Sequence, residues 1–351
     1  MCGVAGAVFS LPNSPADFSV NLNKALAQIE HRGPDMRGQF HHGSVWLGHV
    51  RLSILDLSSA AAQPMVVESG RFVICYNGEV YNFSDVAQHL GLQNLRSRSD
   101  TEVIVRAFAK MGTSVFERLN GMFAIALYDL ELNKLWLVRD RLGIKPLYYR
   151  LDSQGLYFSS EIKALTAMTG GPQRCELGSL HEWLFYGNTL GEKTLYSSIK
   201  QLLPGHYLEM NISTFTHRIV EYWSPKRQST KPAVEASGRE LGDEIRRLLE
   251  QAVKRQLVSD VPVGIFLSGG IDSSTITAFA SKHYQGKLAT YSAGFDFDKG
   301  INELPKARRV ADYYGTEHHE VHISGVEIPD IVEKMVHHHD SPFSDAANIP
   351  L

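Results

Sequence analysis

Hydrophobic and polar positions divide the chain into two halves with different rhythms. In the first half the apolar runs are short, continuous and bounded by Gly, Asn or Asp, as strands covered on both faces should be. Residues 3–9, 72–75, 122–128 and 135–138 read this way, and 45–57 is strand-like with Arg51 set between Val50 and Leu52. Helical spacing appears at 21–30 (Leu22, Ala25, Leu26, Ile29) and at 101–111 (Val103, Ile104, Ala107, Phe108, Met111). Such strands with helices between them imply sheets stacked within helical layers. The second half alternates: helix from Arg239, strand 261–267, helix 274–283, strand 288–295, helix 303–314, strand 317–323, helix 328–338. That order predicts a doubly wound α/β unit with a mostly parallel sheet. Between the halves, residues 225–238 are polar with two prolines and read as a linker between domains at 2–224 and 239–351.

Composition narrows the picture only a little. A length of 351 residues suits two domains, and 43% hydrophobic with 21% charged residues is the profile of a globular protein. A net charge of −3 gives no reason to expect nucleic acid as a partner. No apolar run approaches the length of a membrane span. Cys2, Cys75 and Cys175 are too few for a disulfide framework, which favours a reducing compartment and makes the cytoplasm the default. Cys75 reads as a small core residue, and Cys175 falls in a Gly-Gly-Pro connection with no histidine beside it.

Three stretches carry candidate chemistry. Removal of Met1 would leave Cys2 as first residue, with both a thiol and a free α-amine. That amine, with an ordinary pKa of about 7.7–8.0, accepts a proton near neutral pH, so nucleophile and base share one residue without a separate histidine. At Tyr76-Asn77-Gly78-Glu79 the Asn-Gly pair has two readings. One is a hairpin turn. The other is a donor pair, the Asn77 amide and Gly78 N–H, suited to the oxyanion formed when a thiolate attacks a carboxamide. Ser99 or Asp100 stands where a helix N-cap belongs, and Asp100 also suits the α-ammonium of an amino acid. In the second half a strand runs into Ser268-Gly269-Gly270-Ile271-Asp272-Ser273-Ser274 and then a helix, an anion-binding context. It lacks the lysine of a Walker loop and the third glycine of a dinucleotide fingerprint, while its serines and Asp272 suit pyrophosphate with Mg2+. Three adjacent histidines, His337 to His339, cannot all face one ion from a helix.

Taken in order, Cys2-Gly3, His31-Arg32-Gly33-Pro34-Asp35, Arg51-Leu52-Ser53-Ile54, Tyr76-Asn77-Gly78-Glu79, Ser99-Asp100-Thr101-Glu102 and Arg139-Asp140-Arg141-Leu142-Gly143 resemble the N-terminal-nucleophile glutamine amidotransferases. The match is closest to their asparagine synthetase branch. The resemblance implies an N-terminal αββα sandwich glutaminase in which Cys2 attacks the glutamine amide and forms a glutamyl thioester. It implies Asn77 and Gly78 as the oxyanion hole, Arg51 at the glutamine α-carboxylate, and Glu79 and Asp100 at its α-amine. The loop at 268–274 looks like that of ATP pyrophosphatases, which implies ATP and Mg2+ as cofactors. Ser268, Gly269, Gly270, Asp272 and Ser273 would then hold pyrophosphate, with Asp272 toward Mg2+ and with Leu267 and Ala293 bordering adenosine.

The implied activity is asparagine synthesis, with ammonia released at Cys2 crossing an internal channel to an aspartyl adenylate. Its partners are glutamine, aspartate and ATP, and a homodimer is compatible with it. Residues 340–345 resemble a family segment near the adenylate. The glycine-rich loop argues against sugar-phosphate or ribosyl-pyrophosphate amidotransferases, which share only the first half. Alternatives are an enzyme of the same build acting on another carboxylate, such as a surface sugar acid, and a glutaminase-only or non-catalytic fragment. The resemblance covers the whole chain but only about half of the family's synthetase domain. A sheet edge and apolar helix faces are therefore expected to lie uncovered.

Overall fold

A computed structural model describes residues 1–10, 15–170, 174–226, 237–295 and 302–340. Most of the expected linker, 225–238, and the segment 341–345 lie outside these residues. The described residues form two compact units, one of 1–226 with 339–340, the other of 237–338.

In the first unit, β1 (Gly3–Phe9) is buried along its whole length and pairs antiparallel with β3 (Val45–Arg51) on one side and β9 (Gly155–Ser159) on the other. With β2 (Met36–His42), β8 (Tyr148–Leu151) and β10 (Lys200–Gln201) they make a six-stranded sheet in the order β10-β8-β9-β1-β3-β2. A second sheet has the order β12-β11-β7-β6-β5-β4. Its strands are β4 (Met65–Val67), β5 (Phe72–Val80), β6 (Gly121–Asp129), β7 (Lys134–Arg139), β11 (His206–Asn211) and β12 (Thr216–Glu221).

Alternation along each strand decides which layer a side chain joins. Val4 and Val8 of β1 enter a core with Leu47, Cys75, Ala126, Leu137 and Phe158, drawn from both sheets. Ala5, Ala7 and Phe9 point the other way, onto α1 (Ser19–Gln28) and α4 (Ile162–Thr169). The outer face of the second sheet packs Tyr76, Ile125 and Trp136 against α2 (Phe83–His89) and α3 (Asp100–Met111). The result is the αββα sandwich that the motif order implied. Gly6 is required where the Phe158 ring of the neighbouring strand β9 lies over it: a Cβ there would lie 2.4 Å from that ring.

Aromatic stacking carries much of the outer core. Phe116 is fully buried, with ring centroids 5.7 Å from Phe108 and Tyr207. Phe116→Ala is expected to cost about 3–5 kcal/mol of stability, measured as a lower denaturation midpoint of the glutaminase unit. An unchanged midpoint would mean that this layer does not support the sandwich.

Two expectations change. The Asn-Gly pair is no hairpin: β5 runs straight through Asn77 and Gly78, which face Ala124 and Phe123 of β6. A Cβ at Gly78 would stand 2.1 Å from the Met122 carbonyl, so glycine is there for close strand approach. The strand at 45–57 stops at Arg51, because the Arg51 side chain bonds the carbonyls of Leu55, Asp56 and Ser58 and folds that segment back.

The second unit opens with α6 (Gly238–Gln256), whose start is fixed by a reciprocal capping box between Ser237 and Glu240. Then follow β13 (Gly264–Phe266), α7 (Ile271–His283), β14 (Ala289–Phe295), α8 (Leu304–Tyr314), β15 (Glu317–Ile323) and α9 (Ile328–His339). The three strands form a parallel sheet in the order β13-β14-β15, with Leu267, Ala307 and Ala311 packed beside it. Helix α7 begins three residues earlier than the spacing suggested, directly after Gly270. The apolar stripe of α6 is exposed at Leu241, Ile245, Leu248 and Leu249, the uncovered helix face expected of a partial domain.

Candidate active site

Pairing of Gly3 with Val50 sets Cys2 at the end of the central strand, beside the turn that follows Arg51. The Cys2 thiol donates to the Leu52 carbonyl at 3.6 Å, and the Leu52 N–H donates to Sγ at 3.4 Å. Arg32 anchors the backbone by donating Nε–H to the Cys2 carbonyl at 3.0 Å, and is itself held by Glu161 at 2.7 Å. Burial pushes the thiol up, opposed by the Leu52 N–H. With Met1 in place, desolvation pulls the Met1 amine down from its ordinary value. His49 is no rival base: burial lowers it to about 4, and its neutral ring faces the Tyr76 carbonyl at 2.9 Å.

Strand β5 supplies the donors. The Tyr76 N–H goes to Gln63 Oε1 at 2.6 Å and the Val80 N–H to Asp100 Oδ2 at 2.8 Å, both away from the ladder with β6. Alternate N–H groups on a strand point the same way, so the Gly78 N–H lies on that same open edge. The Asn77 side chain is fully buried, and neither atom of its amide has a hydrogen-bond partner.

Cys2, Arg51, Gln63, Tyr76, Gly78, Glu79, Asp100 and Thr101 line one narrow cleft. Asn77 sits behind this lining rather than in it. Asp100 is buried at the start of α3 and accepts from the Tyr76 hydroxyl at 2.7 Å. Burial raises its pKa, against the Val80 N–H and the Tyr76 hydroxyl. Glu79 is raised by burial first and then by the charge of Asp100. Two like-charged carboxyls thus share a desolvated pocket. Arg51 Nη1 donates to Ser58 O at 2.9 Å and Nη2 to Leu55 O at 3.2 Å, so an α-carboxylate must share or replace bonds to the chain's own carbonyls.

Several supporting residues have no signal in sequence spacing. Asp140 accepts from the N–H groups of Phe123, Leu142, Ile144 and Lys145, and shapes the loop after β7. That loop buries Lys145, whose ammonium is lowered by burial and by Arg32, while Glu79 and Cys2 raise it. Only the Arg139 to Gly143 motif hinted at this scaffold.

In the second unit, Leu267, Ser268 and Ala293 line a cavity of about 470 Å3 with Phe266, Tyr291 and Leu304. Gly269 has φ +74°, and a Cβ there would lie 2.6 Å from the Ala307 nitrogen. Ser268 and Ser273 hydroxyls meet at 3.0 Å, and Gly270 donates its N–H to Ser268 Oγ at 3.3 Å. No side chain caps α7, whose first turn carries Asp272. Backbone donors, two hydroxyls and one carboxylate at a helix start fit a polyphosphate. No group of three or more metal-ligating side chains occurs among the described residues, so a divalent cation here would rely on phosphate oxygens with Asp272. No described helix is long and apolar enough to cross a membrane.

Residues 1–223 match the family described as glutamine amidotransferase domain, and residues 244–351 match asparagine synthase. A putative glutamine-hydrolyzing asparagine synthetase of Methanocaldococcus jannaschii is 32% identical over 371 residues, covering 100% of this chain and 70% of that protein. The chain belongs to the asparagine synthetase family. A glutamine-hydrolyzing asparagine synthetase of Bacillus subtilis is 33% identical, matched over 100% of this chain and 55% of its own length. The chain thus spans 55–70% of the length of these asparagine synthetases. An amidase of Penicillium rubens, chyE, is 32% identical over 92% of this chain and 50% of its own.

Proposed function

We propose that the chain hydrolyses glutamine at Cys2 and uses the ammonia, with ATP, to amidate the β-carboxylate of aspartate. The observation that carries the glutaminase half is the convergence of Cys2, Gly78, Glu79, Asp100 and Arg51 on one cleft. With Met1 removed, the Cys2 α-amine takes the thiol proton and Sγ attacks the amide carbon. The Gly78 N–H and the Asn77 Nδ2–H stabilise the oxyanion. Ammonia leaves with a proton returned by the amine, and water then opens the thioester to glutamate. Asp100 and Glu79 receive the α-ammonium, and Arg51 the α-carboxylate.

ATP supplies the AMP group that activates the acceptor carboxylate and leaves pyrophosphate. Ser268, Gly269, Gly270 and Ser273 would hold the pyrophosphate end, Asp272 would help hold Mg2+, and Leu267 and Ala293 would border the adenosine. Purified protein given glutamine, ATP, Mg2+ and aspartate should release glutamate, and pyrophosphate only when aspartate is present. Pyrophosphate released equally without aspartate would overturn aspartate as the acceptor. The likeness to an amidase favours a second reading, in which the same chemistry serves another carboxylate.

The paired carboxyls make glutamine binding pH-dependent. Both pKa values are raised, so one carboxyl holds a proton well above the usual carboxylate range, and the α-ammonium favours its loss. In Cys2→Ala, glutamine affinity by calorimetry should rise between about pH 6 and about pH 8, by up to about tenfold per unit, with proton release. Asp100→Asn should shift the rise to lower pH, because Glu79 then keeps only the part of its shift that burial causes. A flat profile in the parent protein would place the α-amine elsewhere.

A further inference from the structure

We infer that Asp56 is a positioning residue that fixes the spacing between Arg51 and Asp100, the two grips on the α-amino-acid end of glutamine. The inference rests on the glutaminase reading above. Asp56 is buried, with φ +55°. Its Oδ1 accepts from Ser58 twice, from the N–H at 3.1 Å and the hydroxyl at 2.6 Å. Those two bonds are a local turn and by themselves only shape the segment.

The other oxygen does something a turn does not need. Asp56 Oδ2 accepts the Arg98 N–H at 2.8 Å, across 42 positions, two residues before Asp100. On the other side, the Asp56 carbonyl accepts from Arg51 Nη2. One residue therefore bonds the guanidinium of Arg51 through its backbone and the approach to Asp100 through its side chain. Burial would raise the Asp56 carboxyl, yet the Ser58 and Arg98 donors hold it below its ordinary value, in its acceptor-only form. Asparagine tolerates the same left-handed backbone, but its NH2 would face either the Arg98 N–H or the Ser58 donors. Asp56→Asn thus removes one side of the brace while keeping size and turn.

The test compares glutamine hydrolysis with alkylation of Cys2 by iodoacetamide, a reagent with no α-amino-acid end. Asp56→Asn is expected to raise the KM for glutamine about tenfold or more, with kcat within about threefold and the alkylation rate within about twofold. Ser58→Ala, which deletes one donor to Oδ1, should give a smaller KM rise of about two- to threefold. Loss of hydrolysis and alkylation together would make Asp56 a folding residue and overturn the inference. An unchanged KM in Asp56→Asn would overturn it too. If Asp56→Asn does not fold, Asp56→Gly, which accepts the left-handed backbone and keeps the carbonyl to Arg51 but has no carboxylate for Arg98, takes its place, and an unchanged KM there overturns it. Parent protein that fails to hydrolyse glutamine defeats the glutaminase reading first, and is distinguished from these outcomes by needing no variant.

Discussion

Cys2→Ala is expected to lower glutamine hydrolysis by at least about 10^4-fold, because no other described thiol can replace it. Cys75 is buried between the sheets, where burial pushes its thiol far up, and Cys175 lies outside the cleft. The substitution leaves the scaffold intact, since the anchoring bond from Arg32 goes to the Cys2 backbone carbonyl. Synthesis driven by ammonium chloride in place of glutamine should therefore survive, if the second unit is active. The decisive measurement is glutamate release, with aspartate-dependent pyrophosphate release under ammonium as the control for folding. Residual glutaminase within about tenfold of the parent would sink Cys2 as nucleophile.

Asn77→Ala is expected to lower kcat for glutamine by about 10^2–10^3, with little change in KM, because an oxyanion donor acts on the transition state. The structure makes this more than a generic expectation. The Asn77 amide is fully buried and unpaired at both atoms. A buried amide without partners costs on the order of 1–3 kcal/mol, so a purely structural residue would not be kept in that condition. Its removal should leave the melting temperature level or raised while activity falls. A drop in both would mean that Asn77 serves the fold, and unchanged kcat would leave Gly78 as the lone donor. Gly78→Ala cannot make the same test, because its Cβ would strike the Met122 carbonyl.

Much of this architecture was legible in the chain. Buried strands such as 3–9 and 122–128 identify themselves by continuous apolar runs, because a strand between two layers has no polar face to show. The ordered motifs around Cys2, Arg51, Asn77-Gly78 and Asp100 pointed to one amide-hydrolysing site through their resemblance to the glutamine amidotransferases. Less visible were strands such as β2 (Met36–His42), whose intermediate and exposed positions carry no apolar signature. The local Asn-Gly signal was misleading for a physical reason. Its strand partner, β6, lies more than forty residues away, and pairing with it overrides a turn preference worth only a few tenths of a kcal/mol to about 1 kcal/mol.

What the sequence alone determined, then, is the inventory: a cysteine able to become N-terminal, two kinds of α/β layering, and a glycine-rich turn between strand and helix. The tertiary structure decided how those groups are set against one another. It buried Asp100 and Glu79 so that both pKa values rise, with the charge of Asp100 adding to the rise at Glu79, bent the chain after Arg51 back onto that arginine, and braced the approach to Asp100 with Asp56. None of these could be read from spacing. Electrostatic coupling and hydrogen bonding depend on distances of a few ångströms between residues five to forty-two positions apart, and only the closed fold sets those distances.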